Sequence, residues 1–568
     1  MRRHPTVRDT ALPATQRADI DRVVERLNGS KDAWVRVGLA ERIDHLRSCR
    51  DGLLDAAARW VHETCRHKGI DPDSPLAGEA WLSGPMVTIE ALHQYTRALR
   101  AGGQPRPRRI RTSSGGQTIV EVFPQSLSER FLYHNMLAEV WIEPGRPPTQ
   151  GGIYRKKAEG VYSPGRVALV LGAGNISSIG PLDLLYKLFV EDQVVVLKMH
   201  PVNGYLGVLF EQAFESLIEG GYLAVVHGGK DVGEYLCRHP GVDAIHLTGS
   251  DRTHDAIVWG GDAAEQAARK AAGTPVTDKA ISSELGCVTP VLVVPGDWSR
   301  SSIEFQAEHV AGMVAHNTSF NCTSGQVLLL ARDWPLRQTF LDAVHRVLAR
   351  TPPRRAYYPG ALERYAKFVG HYPQAVVVGE ERSGAVPWTL IPDVPAREGE
   401  LVLSEEAFCG VLAEVNLDAG SAPEFLEKAV PLCNDKIWGT LSCSMLVDRP
   451  TRRRHRAAVE RAIAELCYGS IGVNVWSGVN YGLACTTWGA FPGHPPENIE
   501  SGTGVVHNAL LFDHPQKSVV RSHFRIRPKP IWFADHKTLD VLGRHLTTFA
   551  ARRSPWDLLR VALAGVRG

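Results

Sequence analysis

Two residues of the sequence have side chains that could carry covalent chemistry. Cys322 lies in HNTSFNCTSGQVLLL, between polar residues and just before an apolar run, and Glu284 ends a predicted strand in SSELGCVTP. A cysteine thiolate is a nucleophile, and a partly buried carboxylate can act as a general base. These residue types indicate thiol chemistry, whereas the alternative for Cys322 is a small buried apolar side chain.

A turn that contains several small residues follows the first strand of the most regular region. In LGAGNISSIG, Gly172, Gly174 and Gly180 resemble a dinucleotide-binding turn but lack the G-x-G-x-x-G spacing. Asn175 lies within the same turn. Because its amide can donate hydrogen bonds to a developing oxyanion, Asn175 is a candidate catalytic residue, with an ordinary turn asparagine as the alternative.

Two further positions could contact a dinucleotide. Lys198 ends the strand VVVLK, where a cation could meet ribose hydroxyls or phosphate, and a lysine that extends into solvent is the alternative. Gly249 and Ser250 lead from HLTG into a predicted helix whose N-terminal amides could face a pyrophosphate. Ser250 could equally be a plain helix N-cap.

The elements that must position these residues begin at Arg166. The apolar runs VALVLG, VVVLK, LAVVHG and DAIHLTG are separated by helical segments, which predicts a βαβαβαβ series. Strands that are apolar on both faces indicate a parallel sheet covered on both sides, and such sheets bind ligands at their carboxyl edge. The predicted fold class is therefore α/β, with a Rossmann-like parallel-sheet domain and a second α/β domain.

The domain prediction divides the chain into four parts. Residues 1–115 form a helical N-terminal region, residues 116–285 with a return at 466–515 form the Rossmann-like cofactor domain, residues 286–465 form the catalytic domain, and residues 516–568 form a C-terminal arm and helix. The segment 102–116 predicts an exposed loop because it is rich in proline and glycine. The β-rich segments 118–123, 138–143 and 518–533 predict arms whose edges pair elsewhere.

Composition narrows the class of protein. The chain has 568 residues, a formal net charge of +3 and ten cysteines without a CxxC pair, which argues against nucleic-acid binding and a disulfide framework. The N-terminus has no apolar signal segment, so we predict a cytoplasmic protein. His62, Glu63 and His67 form HExxxH, whose spacing does not suit a metal site. The basic, amphipathic segment 554–568 favours docking on the protein itself over contact with a membrane surface.

Taken in order, these features resemble the aldehyde dehydrogenase superfamily from about Arg166 to Gly493. The resemblance implies that Asn175 supports an oxyanion, Glu284 lies in the family's E-L-G-G motif and Cys322 is the catalytic cysteine. It further implies cofactor contacts, and the positions that match are Lys198, Gly249, Ser250 and, in EEAFCGVLAEV, Glu406. Asn474 of GVNVWSGVN would lie near the substrate.

The resemblance implies an activity and an assembly. It predicts oxidation of an aldehyde to a carboxylic acid with NAD or NADP, through a cysteine thiohemiacetal and a thioester that Glu284 helps to hydrolyse. It also predicts a homodimer or homotetramer joined by β arms. Three segments depart from the family pattern: GAGNISSIG replaces P-W-N-F-P, Cys287 replaces the second glycine of E-L-G-G, and SFNC precedes the nucleophile. Pro201 stands where many NAD-preferring members have glutamate, which leaves NAD and NADP open.

Two alternatives remain at this level. An acyl-CoA reductase of the same superfamily would pass the acyl group to CoA instead of water, but Glu284 argues against it because such an enzyme needs no hydrolytic base. A catalytically silent scaffold or ligand-binding member is the alternative from another class. Retention of Asn175, Glu284 and Cys322 together argues against the silent alternative.

Overall fold

The computed structural model describes residues 13–133, 136–380 and 382–568. The extreme N-terminus, residues 1–12, on which part of the localisation prediction depends, lies outside the described residues. The described chain is organised around a five-stranded sheet and an eleven-stranded sheet. No helix in this part of the chain is both long enough and apolar enough to cross a lipid bilayer.

The first part of the described chain is mostly helical. Its helices are α1 (Arg17–Arg36), α2 (Leu39–Lys68), α3 (Ala77–Trp81), α4 (Val87–Arg100), α5 (Leu127–Leu132) and α6 (Gly152–Ala158). Its strands are β1 (Arg109–Thr112), β2 (Thr118–Phe123) and β3 (Leu137–Ile142). A π-helical turn, Leu82–Met86, joins α3 to α4.

The next part forms the predicted parallel sheet. Its strands are β4 (Val167–Leu171), β5 (Val194–Lys198), β6 (Leu223–Val226), β7 (Ala244–Thr248) and β8 (Ala280–Glu284). Its helices are α7 (Ile179–Phe189), α8 (Gly207–Ala213), α9 (Glu215–Glu219), α10 (Lys230–Arg238), α11 (Asp251–Val258) and α12 (Ala263–Ala272). The strand order is β6-β5-β4-β7-β8 and every pair is parallel, which confirms the Rossmann-like prediction.

The remaining strands build the second sheet and two short ribbons. They are β9 (Thr289–Val293), β10 (Gly325–Ala331), β11 (Arg354–Arg355), β12 (Val376–Val378), β13 (Ala385–Val386), β14 (Trp388–Val394), β15 (Val411–Leu417), β16 (Ser442–Leu446), β17 (Ser470–Val473), β18 (Trp488–Gly489), β19 (Val505–His507) and β20 (Pro515–Arg521). The eleven-stranded sheet has the order β1-β2-β3-β20-β17-β16-β9-β10-β15-β14-β12. Strands β20 to β14 in this order are parallel.

Helices connect and cover these strands. They are α13 (Arg300–Ala315), α14 (Arg337–Arg350), α15 (Ala361–His371), α16 (Leu401–Ser404), α17 (Ala422–Asp435), α18 (Arg449–Arg454), α19 (Arg456–Glu465), α20 (Val479–Leu483), α21 (Leu539–Arg552) and α22 (Pro555–Val566). The short 3-10 turns are Pro201–Leu206, His316–Ser319 and Pro496–Asn498. Buried parallel strands with helical crossovers form in both sheets because their side chains are apolar on both faces.

The N-terminal helices do not form the separate region that we predicted. Buried side chains of α1 and α2, such as Leu27, Trp34 and Leu53, belong to the same apolar cluster as β4 and β5. Arg42 of α2 is fully buried and pairs with Asp192 at 2.5 Å, next to the start of β5. The amphipathic faces of α1 and α2 therefore cover the parallel sheet and belong to its domain.

The predicted loop and arms also differ in part. Strand β1 lies inside the proposed loop 102–116, because antiparallel pairing with β2 satisfies its backbone although its side chains are largely exposed. Strands β2, β3 and β20 are present, but they pair with this chain's own sheet through the contact of β20 with β17. Within 518–533 the strand ends at Arg521, ahead of Pro528 and Pro530.

The segment 466–515 does not return as a whole to the cofactor domain. Strand β17 is buried on both faces and pairs with β16 and β20 in the large sheet. Only a short stretch reaches β8, where Gly502 bridges Glu284 and Thr503 Oγ1 accepts a hydrogen bond from the Ser283 amide at 3.0 Å. Parallel pairing with β16 leaves β17 no free edge for the other sheet.

A close helix crossing provides a test of the packing. A Cβ at Gly78 in α3 would lie 2.3 Å from the Leu539 carbonyl carbon, whereas a Cβ at Gly29 in α1 would meet nothing within 4 Å. We expect Gly78→Ala to lower the free energy of unfolding by about 1–3 kcal/mol, because backbone must move. The control Gly29→Ala should be neutral or stabilising by up to about 1 kcal/mol. Denaturant unfolding measures both, and equal effects would contradict the packing.

Candidate active site

One cavity contains the seven residues predicted to act in catalysis or to bind the cofactor. It has a volume of about 1520 Å³ and lies where the carboxyl ends of β4, β5, β7 and β8 face the second sheet. Its lining includes Asn175, Lys198, Gly249, Ser250, Glu284, Cys322 and Glu406. In the five-stranded sheet β4, the first strand along the chain, pairs with β7, the fourth. The carboxyl ends of the strands on either side of β4 therefore form a crevice that suits a ligand.

Cys322 follows a buried segment with an uncommon backbone. Asn317, Thr318 and Ser319 have φ values of 51°, 62° and 63°, although none of them is glycine. Left-handed conformations cost about 1–3 kcal/mol for such residues and persist only where surrounding contacts impose them. The segment lies between α13 and β10, immediately before the nucleophile candidate, and it sets the direction from which Cys322 faces the cavity.

Hydrogen bonds from the N-terminal helices impose this backbone. Lys68 Nζ donates to Asn317 Oδ1 at 2.8 Å and to the Asn175 carbonyl oxygen at 3.1 Å. The Asn317 amide donates to Glu79 Oε2 at 3.0 Å, and Arg354 pairs with Glu79 at 2.9 Å. Burial lowers the pKa of Lys68 to about 8. Sequence analysis missed this group because Lys68 is an ordinary residue of an amphipathic helix until α2 meets the loop.

Asn175 is fixed against the same segment. Its side-chain Nδ2 donates to the Phe320 carbonyl oxygen at 3.0 Å. Its own carbonyl oxygen accepts hydrogen bonds from Lys68, Asn317 and, at 3.1 Å, the Tyr357 hydroxyl. An amide nitrogen carries two hydrogens, so the Asn175 side chain retains one donor beyond its bond to Phe320. Asn175 therefore lies beside the nucleophile loop with donor capacity for an oxyanion.

Cys322 and Glu284 are in direct contact. The Cys322 thiol donates to Glu284 Oε1 with a sulfur to oxygen distance of 3.7 Å. Burial raises the pKa of Cys322 well above its usual range, and the nearby charge of Glu284 raises it further. Burial also raises the pKa of Glu284 to about 7. The thiol is therefore protonated at neutral pH while the carboxyl group is poised to gain or lose a proton.

Asp183 and its hydrogen-bond partner His507 lie near Glu284. Asp183 of α7 is fully buried, and His507 Nε2 donates to its Oδ1 at 2.8 Å. Burial alone would raise the pKa of Asp183, but His246 and His507 beside it hold that pKa well below its usual range. His507 lowers the pKa of Glu284 and Asp183 raises it. The lone aspartate in the apolar run PLDLLYKL was a sequence signal that could have indicated this pair.

Glu406 occupies a space that Gly286 leaves open. Its Oε1 accepts a hydrogen bond from the Cys287 amide at 3.2 Å, and a Cβ at Gly286 would lie 2.2 Å from its Oε2. Burial raises the pKa of Glu406 to about 8. Cys287, which replaces a family glycine, is fully buried, and burial raises its pKa to about 11. Cys322 lines the cavity and Cys287 does not, so Cys287 is a poor candidate for the nucleophile.

Lys198 and Ser250 lie at the other end of the cavity. Within residues 13–133, 136–380 and 382–568, no carboxylate lies within ion-pair distance of Lys198, and burial lowers its pKa. Ser250 is the N-cap of α11, since its Oγ accepts from the Thr253 amide at 3.2 Å. The N-terminus of α11 and a lysine without an acidic partner both favour an anionic ligand.

Asn474 does not reach this cavity. Its φ is 59°, and its side chain donates from Nδ2 to the Val447 carbonyl oxygen at 2.9 Å and accepts from the Val447 amide at 2.8 Å. It closes the gap between the ends of β16 and β17. In the described part of the chain no group of three or more His, Cys, Asp or Glu side chains is arranged to hold a metal ion.

Comparisons with known proteins agree with these features. The family model described as the aldehyde dehydrogenase family matches residues 189–357. A Staphylococcus haemolyticus protein, provisionally named as an aldehyde dehydrogenase, is 28% identical over 162 residues. That match spans 28% of this chain and 30% of the relative's length.

Solved structures share the fold over most of the chain. An NADP-dependent glyceraldehyde-3-phosphate dehydrogenase from Bacillus halodurans has a TM-score of 0.59 and 15% identity, covering 90% of this chain and 92% of its own. An NAD-dependent aldehyde dehydrogenase from Sinorhizobium meliloti has a TM-score of 0.59 and 19% identity, covering 91% and 89%. The comparisons together confirm the resemblance that the sequence predicted.

The contact between Cys322 and Glu284 predicts how the thiol reacts. Because Glu284 raises the pKa of Cys322, we expect Glu284→Gln to speed alkylation of Cys322 by iodoacetamide near neutral pH by roughly threefold or more. Mass spectrometry of the peptide that contains Cys322 measures the rate. Glu405→Gln, which removes a neighbouring charge that does not affect this pKa, is the matched control. Slower alkylation in Glu284→Gln would contradict this electrostatic account.

Proposed function

We propose that this chain, a member of the aldehyde dehydrogenase superfamily, oxidises an aldehyde to a carboxylic acid with NAD or NADP and forms its covalent intermediates on Cys322. The observation that carries the proposal is the 3.7 Å contact between the Cys322 thiol and a Glu284 carboxyl group whose pKa is about 7. The names of the structural relatives, which include NAD- and NADP-dependent enzymes, support the same conclusion.

Covalent attack is the first step. The Cys322 thiol first loses its proton to water in the cavity, and the resulting thiolate attacks the aldehyde carbonyl carbon to give a thiohemiacetal whose oxygen carries negative charge. The free donor of the Asn175 amide and the Cys322 backbone N–H stabilise that oxygen. Lys68 and Asn317 keep Asn175 and the loop before Cys322 in one arrangement, so the donors need not reorganise during the reaction.

The cavity residues fit a dinucleotide. Lys198, which has no carboxylate partner in the described ranges, would hold the ribose on the adenine side, and Gly249 and Ser250 would face the pyrophosphate at the N-terminus of α11. Glu406 would hold the ribose on the nicotinamide side. When bound, NAD or NADP accepts the hydride that leaves the thiohemiacetal carbon. This loss leaves a thioester on Cys322.

Glu284 performs the second half of the reaction. As the carboxylate, it removes a proton from a water molecule that attacks the thioester carbon, and the carboxylic acid departs while Cys322 is regenerated. A carboxyl group with a pKa near 7 is suited to this role, because it is substantially ionised at neutral pH and basic enough to accept a proton. The contact between Glu284 and Cys322 favours water over CoA as the acyl acceptor.

Measuring reduction of the cofactor separately from hydrolysis of the thioester tests the proposal. We expect Cys322→Ala to abolish reduction of the cofactor, because no covalent intermediate forms. Glu284→Gln should give a burst that approaches one reduced cofactor per site, followed by turnover slowed on the order of 100-fold or more. Stopped-flow absorbance of NADH or NADPH across short, long and aromatic aldehydes measures both phases.

Two controls make the burst decisive. Glu405→Gln should retain wild-type turnover, since this neighbour of Glu406 makes ion pairs with Arg252 and Lys367 outside the proposed chemistry. Added CoA separates the two enzymatic alternatives. If CoA accelerates wild-type turnover and acyl-CoA is released, the acyl-CoA reductase alternative replaces hydrolysis. Full activity of Cys322→Ala would refute the proposed nucleophile.

The pKa of Glu284 predicts a pH dependence. Glu284 is neutral below about pH 7 and charged above it, so thioester hydrolysis should rise with pH through about 7. The electrostatic effect of His507 lowers this pKa, so His507→Gln should move the midpoint to higher pH. His345→Gln, on the exposed side of α14, is the matched control. Single-turnover hydrolysis against pH measures the midpoint, and a shift to lower pH would contradict the assignment.

A further inference from the structure

An exposed apolar surface lies on two helices, α5 and the C-terminal helix α22. The four most exposed large apolar side chains in the described ranges are Leu127 (83%), Val566 (78%), Trp556 (74%) and Phe131 (63%). Two belong to α5 and two to α22. Exposed apolar side chains gathered on one part of a protein mark an interaction site more often than isolated ones do.

Helix α22 has one face on the protein and one face outside. Val561 and Ala564 are buried in the small apolar cluster built on α21. The opposite face carries the exposed residues Trp556, Leu559, Leu563 and Val566, whose spacing places them on one side of the helix. Docking on the protein itself, which the sequence favoured, therefore explains the buried face of α22 but not its exposed apolar face.

Helix α5 adjoins this surface. Leu132 of α5 and Leu558 of α22 both pack against the cluster on α21. Arg553, between α21 and α22, lies 4.0 Å from Glu129 of α5 and also pairs with Glu90. Leu127 and Phe131 are one turn apart on the outer side of α5. We call the exposed apolar residues of α5 and α22 the C-terminal patch, which comprises Leu127, Phe131, Trp556, Leu559, Leu563 and Val566.

Arginines surround the C-terminal patch. A cavity of about 390 Å³ beside α5 is lined by Leu127 together with Arg97, Arg106, Arg108 and Arg130. Among the residues that the structure describes, no carboxylate lies within ion-pair distance of any of these four arginines. On α22 and its flanks, the exposed basic residues are Arg552, Arg560 and Arg567.

Acidic side chains are engaged elsewhere. Asp557, the one acidic residue of α22, is buried and lies 3.3 Å from Arg560. Glu90 and Glu129 are occupied by Arg553. Glu121 is the acidic residue that lines the arginine cavity. The C-terminal patch and the arginines around it therefore present apolar side chains together with an excess of positive charge.

We propose that the C-terminal patch binds the surface of an anionic lipid bilayer. A bilayer offers anionic headgroups and an apolar interior within a few ångströms, which matches arginines placed between protruding Trp, Leu, Phe and Val side chains. Arginine stems can lie along the apolar region while their guanidinium groups stay at the headgroups. Helix α22 would lie in the interface and the arginine cavity beside α5 would receive lipid phosphate.

Vesicle binding tests the proposal with the full-length protein. Phosphatidylcholine vesicles with and without phosphatidylglycerol are compared by flotation at low and at high salt. We expect binding to the anionic vesicles to be on the order of tenfold or more stronger than to the neutral ones, and to weaken at high salt because arginine contacts are screened. Equal binding to both vesicle types, or no binding to either, would overturn the proposal.

Paired variants locate the contact. Trp556→Ser combined with Leu563→Ser should weaken binding to anionic vesicles on the order of tenfold or more, since both side chains project away from the fold. Arg106→Gln combined with Arg108→Gln should reduce binding and its salt dependence. Val161→Ser combined with Val376→Ser, at exposed apolar positions outside the patch, is the matched control and should bind as the wild type does.

Two further measurements keep the result clear. The thermal midpoint and the oxidation of a soluble aldehyde should be unchanged in every variant, because none of these residues lines the active-site cavity. Light scattering reports the oligomeric state. If the Trp556→Ser and Leu563→Ser pair turns a wild-type dimer into a monomer, a second copy covers the patch and the bilayer proposal is wrong.

Discussion

The hydrogen bonds that hold residues 317–319 in a left-handed conformation are the contacts on which the candidate active site depends. They join three separate parts of the chain, because Lys68 and Glu79 come from the N-terminal helices while Asn175 follows the first strand of the parallel sheet. The segment could not keep this backbone in isolation, since each left-handed residue costs free energy that surrounding contacts must offset. Cys322 and Asn175 are therefore positioned together, by the same buried lysine.

Burial at this junction determines the chemistry of the ionisable groups. Burial raises the pKa of both Cys322 and Glu284. The charge of Glu284 raises the pKa of Cys322 further, whereas the hydrogen bond from Cys322 lowers the pKa of Glu284, which is about 7. Asp183 and His507 form a buried pair that modulates Glu284 from behind. Different environments thus adjust the candidate nucleophile and the candidate base, a pattern common in active sites where two groups have separate roles.

Segments from both sheets supply residues that line the active-site cavity. Carboxyl ends of the five-stranded sheet supply Asn175, Lys198, Ser250 and Glu284, whereas Cys322 and Glu406 come from the segment that builds the second sheet. The outer strands β1, β2 and β3 extend that second sheet within one chain through β20. Strands β2, β3 and β20 are paired on both sides within the chain, whereas β1 and β12 form the two outer edges of this sheet.

The sequence by itself determined the alternation of strands and helices, because parallel strands buried on both faces require long apolar runs and these are visible at 167–171, 194–197 and 244–248. It also predicted the candidate site residues that line one cavity, because their positions near strand ends and their order along the chain are local features: Cys322, Glu284, Asn175, Lys198, Ser250 and Glu406. Parallel topology then brings those strand ends to one edge.

Only the tertiary structure decided which distant groups surround the candidate site residues. Lys68, Glu79 and His507 have no local pattern that indicates a role, since each acts through a contact made across more than one hundred residues. Asp183 is marked in the sequence only as a lone carboxylate in an apolar run, and its partner His507 is not. The assignment of β17 to the second sheet and of α1 and α2 to the first likewise depends on which apolar faces meet. The burial and the pairing of charged groups result from the packing of these distant elements, so the periodicity of the sequence does not predict them.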